Sequence, residues 1–414
     1  MSVTVAAPSG SADVHSPVHY RLDVLDVLRG IALVGMFLVH FSNYASGGGR
    51  VDGVYQKIVA LLFEERFWAM FGMLFGAGFA IQFHRADARG ESFLPKYLRR
   101  LAVLAVFGVI ADGVFGFNVL LGYAIWGLAL PLVRKWSTPM LVAALVVSAT
   151  SMHLYTTGRA AYGVATKGEE AFQAEWREIA AYNRAFNQAN RAAQKSTHVV
   201  TVVVARLQRM PWFYSRPYSF LPVNTLTLFL LGVLAVRLGL FNRPAEHRRL
   251  IAILALFGAA SCAFETWVPD RPPTPGSPFV REMFLSQLAG GYGLIRGMWL
   301  SFTYVGIVLL LVARDPRWLR WLSVFGSPGR TALTSYMTQI VILDLLFSHY
   351  ALGLTLTPLV SFVAGVGLFA ANVVFSRWWL RRHPFGPLEW LWRSATYARW
   401  QPWRISEIQA ATQV

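Results

Sequence analysis

The chain has very little cysteine: among its 414 residues there is one, Cys262, set inside an apolar run. No disulfide can close within the chain, and the thiol is expected to pack as a small apolar group. Charge is also scarce, at 14% of residues against 55% hydrophobic, and acids are fewer than bases, 21 against 38, for a net charge of +17. In a soluble protein that balance would suggest nucleic acid. Here most lysines and arginines sit in short loops beside long apolar runs, the positive-inside pattern, so nucleic acid is set aside as a partner. Histidines 40, 84, 153, 198 and 349 are too dispersed to suggest a zinc site, and no serine–histidine–aspartate spacing stands out, so no metal is expected. No internal repeat is visible, which weakens a transporter built on inverted halves. Residues 1–19 are rich in Ser, Ala and Pro, without a basic segment followed by an apolar one. They read as a disordered cytoplasmic tail with no cleavable signal.

What is abundant is apolar sequence in runs long enough to cross a bilayer, which takes about 20 residues. The fold class expected is therefore all-α: a polytopic transmembrane helical bundle of about ten spans. The runs fall near residues 24–44, 67–83, 101–117, 118–133, 139–155, 223–240, 250–268, 292–313, 331–350 and 357–379. Basic clusters at 84–100, 134–135, 243–249, 314–320 and 377–393 all fall on one side if both termini are cytoplasmic. One membrane domain, 20–397, then carries an extracytoplasmic insertion at 156–222, and 398–414 forms a cytoplasmic tail. Within the insertion, residues 169–194 are polar, with Phe172, Trp176, Tyr182 and Phe186 at helical spacing, and 206–222 read as an aromatic, proline-containing loop.

The first span is the least ordinary. It holds Asp26, Arg29 and His40. Ionisable groups at membrane depth are expensive and tend to face a protein interior or a polar cavity. Arg29 and His40 are eleven residues apart, close to three helical turns, so they share a face at a separation of roughly 16 Å along the axis. A site using both must hold something elongated. Arg330 precedes the ninth span after Gly326, Pro328 and Gly329, so a helix amino terminus with its free N–H donors reads as a phosphate site. Tyr336 and Gln339 lie one turn apart on one face of that span, where interhelical hydrogen bonding is the plain reading. Glu389 and Arg393 have the spacing of a helical salt bridge.

Two sets of motifs carry a resemblance. Leu25-Asp26-Val27-Leu28-Arg29-Gly30-Ile31-Ala32 resembles the opening of the transmembrane acyltransferase superfamily. Arg29, ten residues, then His40 resembles the signature of its sugar O-acyltransferase branch. Gly329-Arg330-Thr331-Ala332-Leu333-Thr334-Ser335-Tyr336-Met337-Thr338-Gln339 and Phe385-Gly386-Pro387-Leu388-Glu389-Trp390-Leu391-Trp392-Arg393-Ser394-Ala395-Thr396-Tyr397 resemble the YeiB-like family of bacterial inner-membrane proteins, grouped with those acyltransferases. The likeness runs from about residue 21 to 397. Two departures matter. The family commonly has Asn at the position of His40, and Gly-Asp-Ile-Leu where this chain reads Phe117-Asn118-Val119-Leu120 before Tyr123-Ala124. If that aspartate is catalytic in the family, its role here is lost or moved to Asp112.

The resemblance implies an acyltransferase of the bacterial cytoplasmic membrane. Histidine titrates nearest neutrality, so His40 is the expected base or transient acyl carrier, with Asp112 beside it in the catalytic set. Asp26, Arg29, Arg66, Tyr123, Arg330, Tyr336 and Gln339 form the donor- and substrate-binding set. The donor expected is a cytosolic acyl-CoA such as acetyl-CoA, as co-substrate and not as a tightly bound cofactor. The acceptor would be a hydroxyl or amine on a sugar, lipid or secondary metabolite. The bilayer is a partner, and a second copy of the chain is a candidate one. The alternative is a small-metabolite transporter using Arg29, His40, Asp112 and Asp344; a non-catalytic scaffold is the weakest reading.

Overall fold

A computed structural model describes residues 17–117, 119–215, 225–265 and 278–407. Among them the regular elements are all helices, with one isolated parallel bridge between Ala45 and Leu356. In chain order they are α1 (Pro17–Ser42), α2 (Arg50–Leu62), α3 (Arg66–Ala88), α4 (Phe93–Gly113), α5 (Val119–Gly127), α6 (Leu130–Val133), α7 (Thr138–Lys167) and α8 (Glu169–Gln194). There follow α9 (Val199–Tyr214), α10 (Thr225–Arg237), α11 (Arg248–Glu265), α12 (Phe279–Arg314), α13 (Arg317–Arg330), α14 (Ala332–Phe347), α15 (Pro358–Leu380) and α16 (Pro387–Tyr397). The expectations for residues 1–16, Asn118, 216–224, 266–277 and 408–414, among them the disordered tail and part of the aromatic loop, lie outside the described residues.

Helix α1 is the axis of the molecule. Val24, Leu25, Leu28, Ala32, Leu33, Met36, Phe37 and Phe41 are buried, and they point in several directions around it. α3, α13, α14 and α15 pack on it. Length and apolarity qualify three described helices to cross a membrane: Asp23–Ser42 within α1, Thr138–Lys167 and Pro358–Leu380. The first is mostly buried in protein, whereas α7 and α15 turn Val142, Val146, Val147, Leu154, Val360, Val363 and Val374 outward. Shorter apolar helices are Val119–Val133, Thr225–Arg237, Met298–Arg314 and Ala332–Phe347.

Glycines set the closest helix crossings. A Cβ on Gly30 would lie 1.8 Å from the Phe325 carbonyl oxygen, and one on Gly329 would lie 1.8 Å from the Asp26 carbonyl oxygen. α1 and α13 therefore meet backbone to backbone. α3 and α10 repeat the arrangement, with Gly76 against Phe229 and Gly232 against Met73. Small residues are how helices approach this closely when apolar side chains gain nothing by leaving lipid.

Several elements depart from the sequence expectations. Residues 206–214, expected as loop, complete α9, and Pro211 falls in the last turn, where a missing N–H does least harm. α7 runs on to Lys167, well beyond residue 155. Residues 279–291, which lie before the expected eighth run at 292–313, are part of the same helix, α12. The fourth apolar run is broken between Gly127 and Leu130. α13 was not expected at all. Its arginines read as a loop, yet Leu319, Leu322, Val324 and Phe325 pack on the core.

Gly30→Ala is expected to part α1 from α13 and to cost about 1–3 kcal/mol, the range for an overpacked core. Gly122→Ala is the control, since its Cβ would meet nothing within 4 Å. Thermal unfolding in detergent should show a lowered midpoint for the first and an unchanged or raised one for the second.

Candidate functional site

The polar residues of α1 form two clusters. At the end nearer its amino terminus, Arg29 Nη1 donates to Asp26 Oδ1 at 2.6 Å, both side chains partly exposed. Gly78 of α3 borders the guanidinium: a Cβ there would make ordinary contact with Arg29 Nη2 at 3.6 Å and Gln82 Nε2 at 3.9 Å. Gln82 Oε1 accepts from Arg100 Nη1 at 3.1 Å. Arg100 lies 4.0 Å above the Trp392 ring, whose Nε1 donates to the Arg100 carbonyl. Arg29, Arg100 and Arg393 are within electrostatic range of one another, and Arg330 and Arg393 within range of Asp26. Arg29, Arg330 and Arg393 thus lie within range of Asp26, with Arg100 beside Arg29 and Arg393, and with Asp23 and Glu389 as further carboxylates nearby.

A second carboxylate, Glu389, is committed elsewhere, which corrects two sequence expectations. Its Oε1 accepts from the backbone N–H groups of Leu333 and Thr334, at 2.6 and 3.0 Å, and its Oε2 accepts from Thr334 Oγ1 at 2.6 Å. Thr334 Oγ1 in turn accepts from the Leu388 N–H at 3.0 Å. The amino terminus of α14, expected to receive phosphate, is therefore capped by this side chain. Nor does Arg330 open that helix: it is the last residue of α13, exposed, and donates to the Pro384 carbonyl at 3.3 Å. Arg393 lies 4.3 Å from the Phe385 ring and interacts with Glu389 only at electrostatic range.

About three turns along α1, half-buried His40 meets Phe117 and Tyr336, ring centroids 4.9 and 6.3 Å away. Gln339 faces the imidazole and donates from Nε2 to the Met36 carbonyl at 3.3 Å. His40 Nδ1, Tyr336 Oη and Gln339 Oε1 are buried with no hydrogen-bond partner among the described residues. Asp112, 1% exposed, lies within electrostatic range of Tyr336 and accepts from Arg209 Nη2 of α9 at 2.7 Å. This cluster joins α1, α4 and α14 to the insertion.

The remaining candidates are occupied elsewhere. Tyr123 is near Tyr336, but its hydroxyl donates to the Trp68 carbonyl at 3.2 Å. Arg66, buried at the opposite end of α3 from Gln82, donates to the Glu64 carbonyl at 2.6 Å, apart from the arginine cluster. Asp344 pairs with Arg206 Nη2 at 2.8 Å, accepts from Ser348 Oγ at 2.7 Å and from the Tyr350 hydroxyl, and so ties α14 to α9. A cavity of about 260 Å³ beside Asn242, Pro244, Glu246 and Pro316 shares no residue with either cluster.

Gln82, Arg100 and Arg393 were missed as site residues. Arg100 sat in a stretch legible as a positive-inside loop, and Arg393 in an expected salt bridge; only the packing of α16 against α4 unites them.

Burial raises the Glu389 carboxyl above its ordinary value, while hydrogen bonds from Thr334 and Leu333 pull it down. With a raised folded-state value, its contribution is greatest when protonated and declines as pH rises through that value. Glu389→Ala should lose about 1 kcal/mol as a lost cap. Glu389→Gln keeps an acceptor and should lose less, and wild type should gain on it as pH falls through the carboxylate range. Unfolding midpoints across pH check both.

Comparison with known proteins follows the two halves of this arrangement. The family described as Heparan-alpha-glucosaminide N-acetyltransferase, catalytic, matches residues 21–166, which include Asp26, Arg29, His40, Arg100 and Asp112. The family described as Protein of unknown function (DUF418) matches 235–399, which include Arg330, Tyr336, Gln339 and Glu389. The uncharacterized protein YxaH of Bacillus subtilis (strain 168) is 29% identical over 410 residues, 92% of this chain and 96% of that protein. An uncharacterized 39.9 kDa protein of Bacillus acidopullulyticus, from its amylase 3' region, is 28% identical over 393 residues, 92% and 94% of the two chains. The uncharacterized protein YeiB of Escherichia coli (strain K12) is 32% identical over 117 residues, 28% of this chain and 27% of that one. The two family regions in this order, together with the likeness to YeiB, support a YeiB-like family for this chain.

Proposed function

We propose that the protein is a membrane acetyltransferase that carries an acyl group from a cytosolic acyl-CoA to a hydroxyl or amine, with α1 as the track between donor phosphates and chemistry. The observation that carries this reading is that α1 brings together Arg29, which sits in a cluster of arginines from other helices, and, three turns on, a histidine whose Nδ1 is buried without a partner among the described residues. The similarity of residues 21–166 to an acetyltransferase catalytic region supports it.

In this reading the chain makes about ten spans in the bacterial cytoplasmic membrane with both termini inside. The arginine cluster then faces the cytosol, and α8 and α9 cover the outer face. Arg29, Arg100 and Arg393 bind phosphates through charge-assisted hydrogen bonds. The pantetheine arm lies along α1 over roughly 16 Å, eleven residues of helix rise. His40 takes the proton from the attacking hydroxyl or amine as the new bond forms to the thioester carbon. It then returns that proton to the departing thiolate. A general base of this kind is worth about 100-fold or more in rate.

The test uses purified protein in nanodiscs with radiolabelled acetyl-CoA, with and without a membrane-extract acceptor pool. Wild type should release thiol or transfer label, and His40→Ala should lose at least about 100-fold. Arg100→Ala should raise KM for acetyl-CoA about tenfold, the worth of one charged hydrogen bond. It should leave KM for acetyl-pantetheine, which lacks the nucleotide phosphates, unchanged. A folded wild type that neither binds nor turns over acetyl-CoA or a panel of longer acyl-CoAs would refute this donor assignment.

A further inference from the structure

We infer that the Tyr336 hydroxyl is the oxyanion donor of this acyl transfer, an assignment that rests on the acyltransferase reading. Tyr336 is 3% exposed and sits one helical turn before Gln339, which is 1% exposed, on the face of α14 turned toward His40. A buried phenol nearly always finds an acceptor. This one has none among the described residues, although Asp112 and Tyr214 lie within electrostatic range. A hydroxyl buried without a partner costs stability that phenylalanine would not, because phenylalanine fills the same volume with no polar group to desolvate. Packing therefore does not account for the residue. Its neighbours bond elsewhere: Tyr123 donates to the Trp68 carbonyl, Gln339 Nε2 to the Met36 carbonyl, and Asp112 Oδ1 accepts from Arg209, while Gln339 Oε1 and Asp112 Oδ2 stay buried without taking the Tyr336 proton. What is left beside His40 Nδ1 is an O–H donor with no ground-state acceptor, the arrangement that favours a charge present only in the transition state.

The step balances as follows. The acceptor's oxygen or nitrogen attacks the thioester carbon, and His40 removes its proton as the bond forms. The carbonyl electron pair moves onto oxygen, which accepts a hydrogen bond from Tyr336 while Tyr336 keeps its proton. Collapse of this intermediate restores the carbonyl and breaks the carbon–sulfur bond. The imidazolium then protonates the thiolate, and both side chains return to their starting states. Tyr336 thus differs from a proton relay, in which it would pass a proton between His40 and Asp112.

Tyr336→Phe separates these roles, with acetyl-CoA as donor, water as acceptor and thiol release as the signal. The expected result is a kcat lower by about 100-fold, the effect of removing one oxyanion donor, with KM within about threefold of wild type. The unfolding midpoint should be equal to or above that of wild type, since an unpaired polar group has been removed. A ring-fluorinated tyrosine at the same position, a stronger donor, should keep kcat at or above wild type. A Tyr336→Phe kcat within about threefold of wild type, while His40→Ala is inactive, would overturn the oxyanion assignment and leave the acyltransferase reading standing. A lost kcat accompanied by a lowered midpoint would also overturn it, in favour of a structural role. A wild type with no thiol release from acetyl-CoA would refute the acyltransferase reading itself, and this assignment with it.

Discussion

Two helices come to backbone distance only where their side chains vanish, and at Gly30 and Gly329 this happens on both partners at once. The rest of the site depends on that contact. It fixes α13 across the amino-terminal half of α1, and α14 begins two residues after α13 ends. The register of α14 along α1 follows, and with it the opposition of Tyr336 and Gln339 to His40. A Cβ at either glycine would force the helices apart before any polar group was disturbed. Those glycines belong to the two stretches whose motifs were legible in the sequence. The motif residues and the packing residues are thus partly the same.

The second constraint is the cost of polar groups away from water. The molecule meets it in two ways. Asp344, Arg206, Glu389 and Thr334 are engaged, binding α9 and α16 to the bundle. His40, Tyr336 and Gln339 each retain a buried polar atom without a partner. Structural polar groups satisfy one another, whereas a site keeps some unsatisfied until its ligand arrives. Asp344 and Glu389 hold the structure together, whereas at the His40 cluster three such atoms from two helices come together, and that gathering is what the proposed chemistry uses.

Much of this was legible in the sequence. Apolar runs gave an all-helical chain, and an eleven-residue spacing put Arg29 and His40 on one face. The pairing of Tyr336 with Gln339 followed from one-turn spacing. What could not be read was partnership across the chain. Arg100 and Trp392 are separated by nearly three hundred residues and meet only because α16 folds back on α4. Glu389 had a perfectly spaced basic neighbour in Arg393, and local spacing therefore favoured a salt bridge. The open N–H groups of α14, distant in sequence, were the stronger partner. α13 was hidden because arginines marked it as loop, although its apolar residues at 319, 322 and 325 carried a helical period. The fourth apolar run was continuous in sequence, but the chain breaks it between Gly127 and Leu130.

The central claim is that one elongated molecule lies along α1, anchored by arginines at one end and reacting at His40. A structure of the protein in nanodiscs with bound acetyl-CoA tests this directly. Phosphate density is expected against Arg29, Arg100 and Arg393, with the acyl carbon within about 4 Å of His40 when allowance is made for a bridging acceptor atom. Acetyl-CoA bound with its nucleotide away from those arginines, or with its acyl group pointing away from His40, would contradict it.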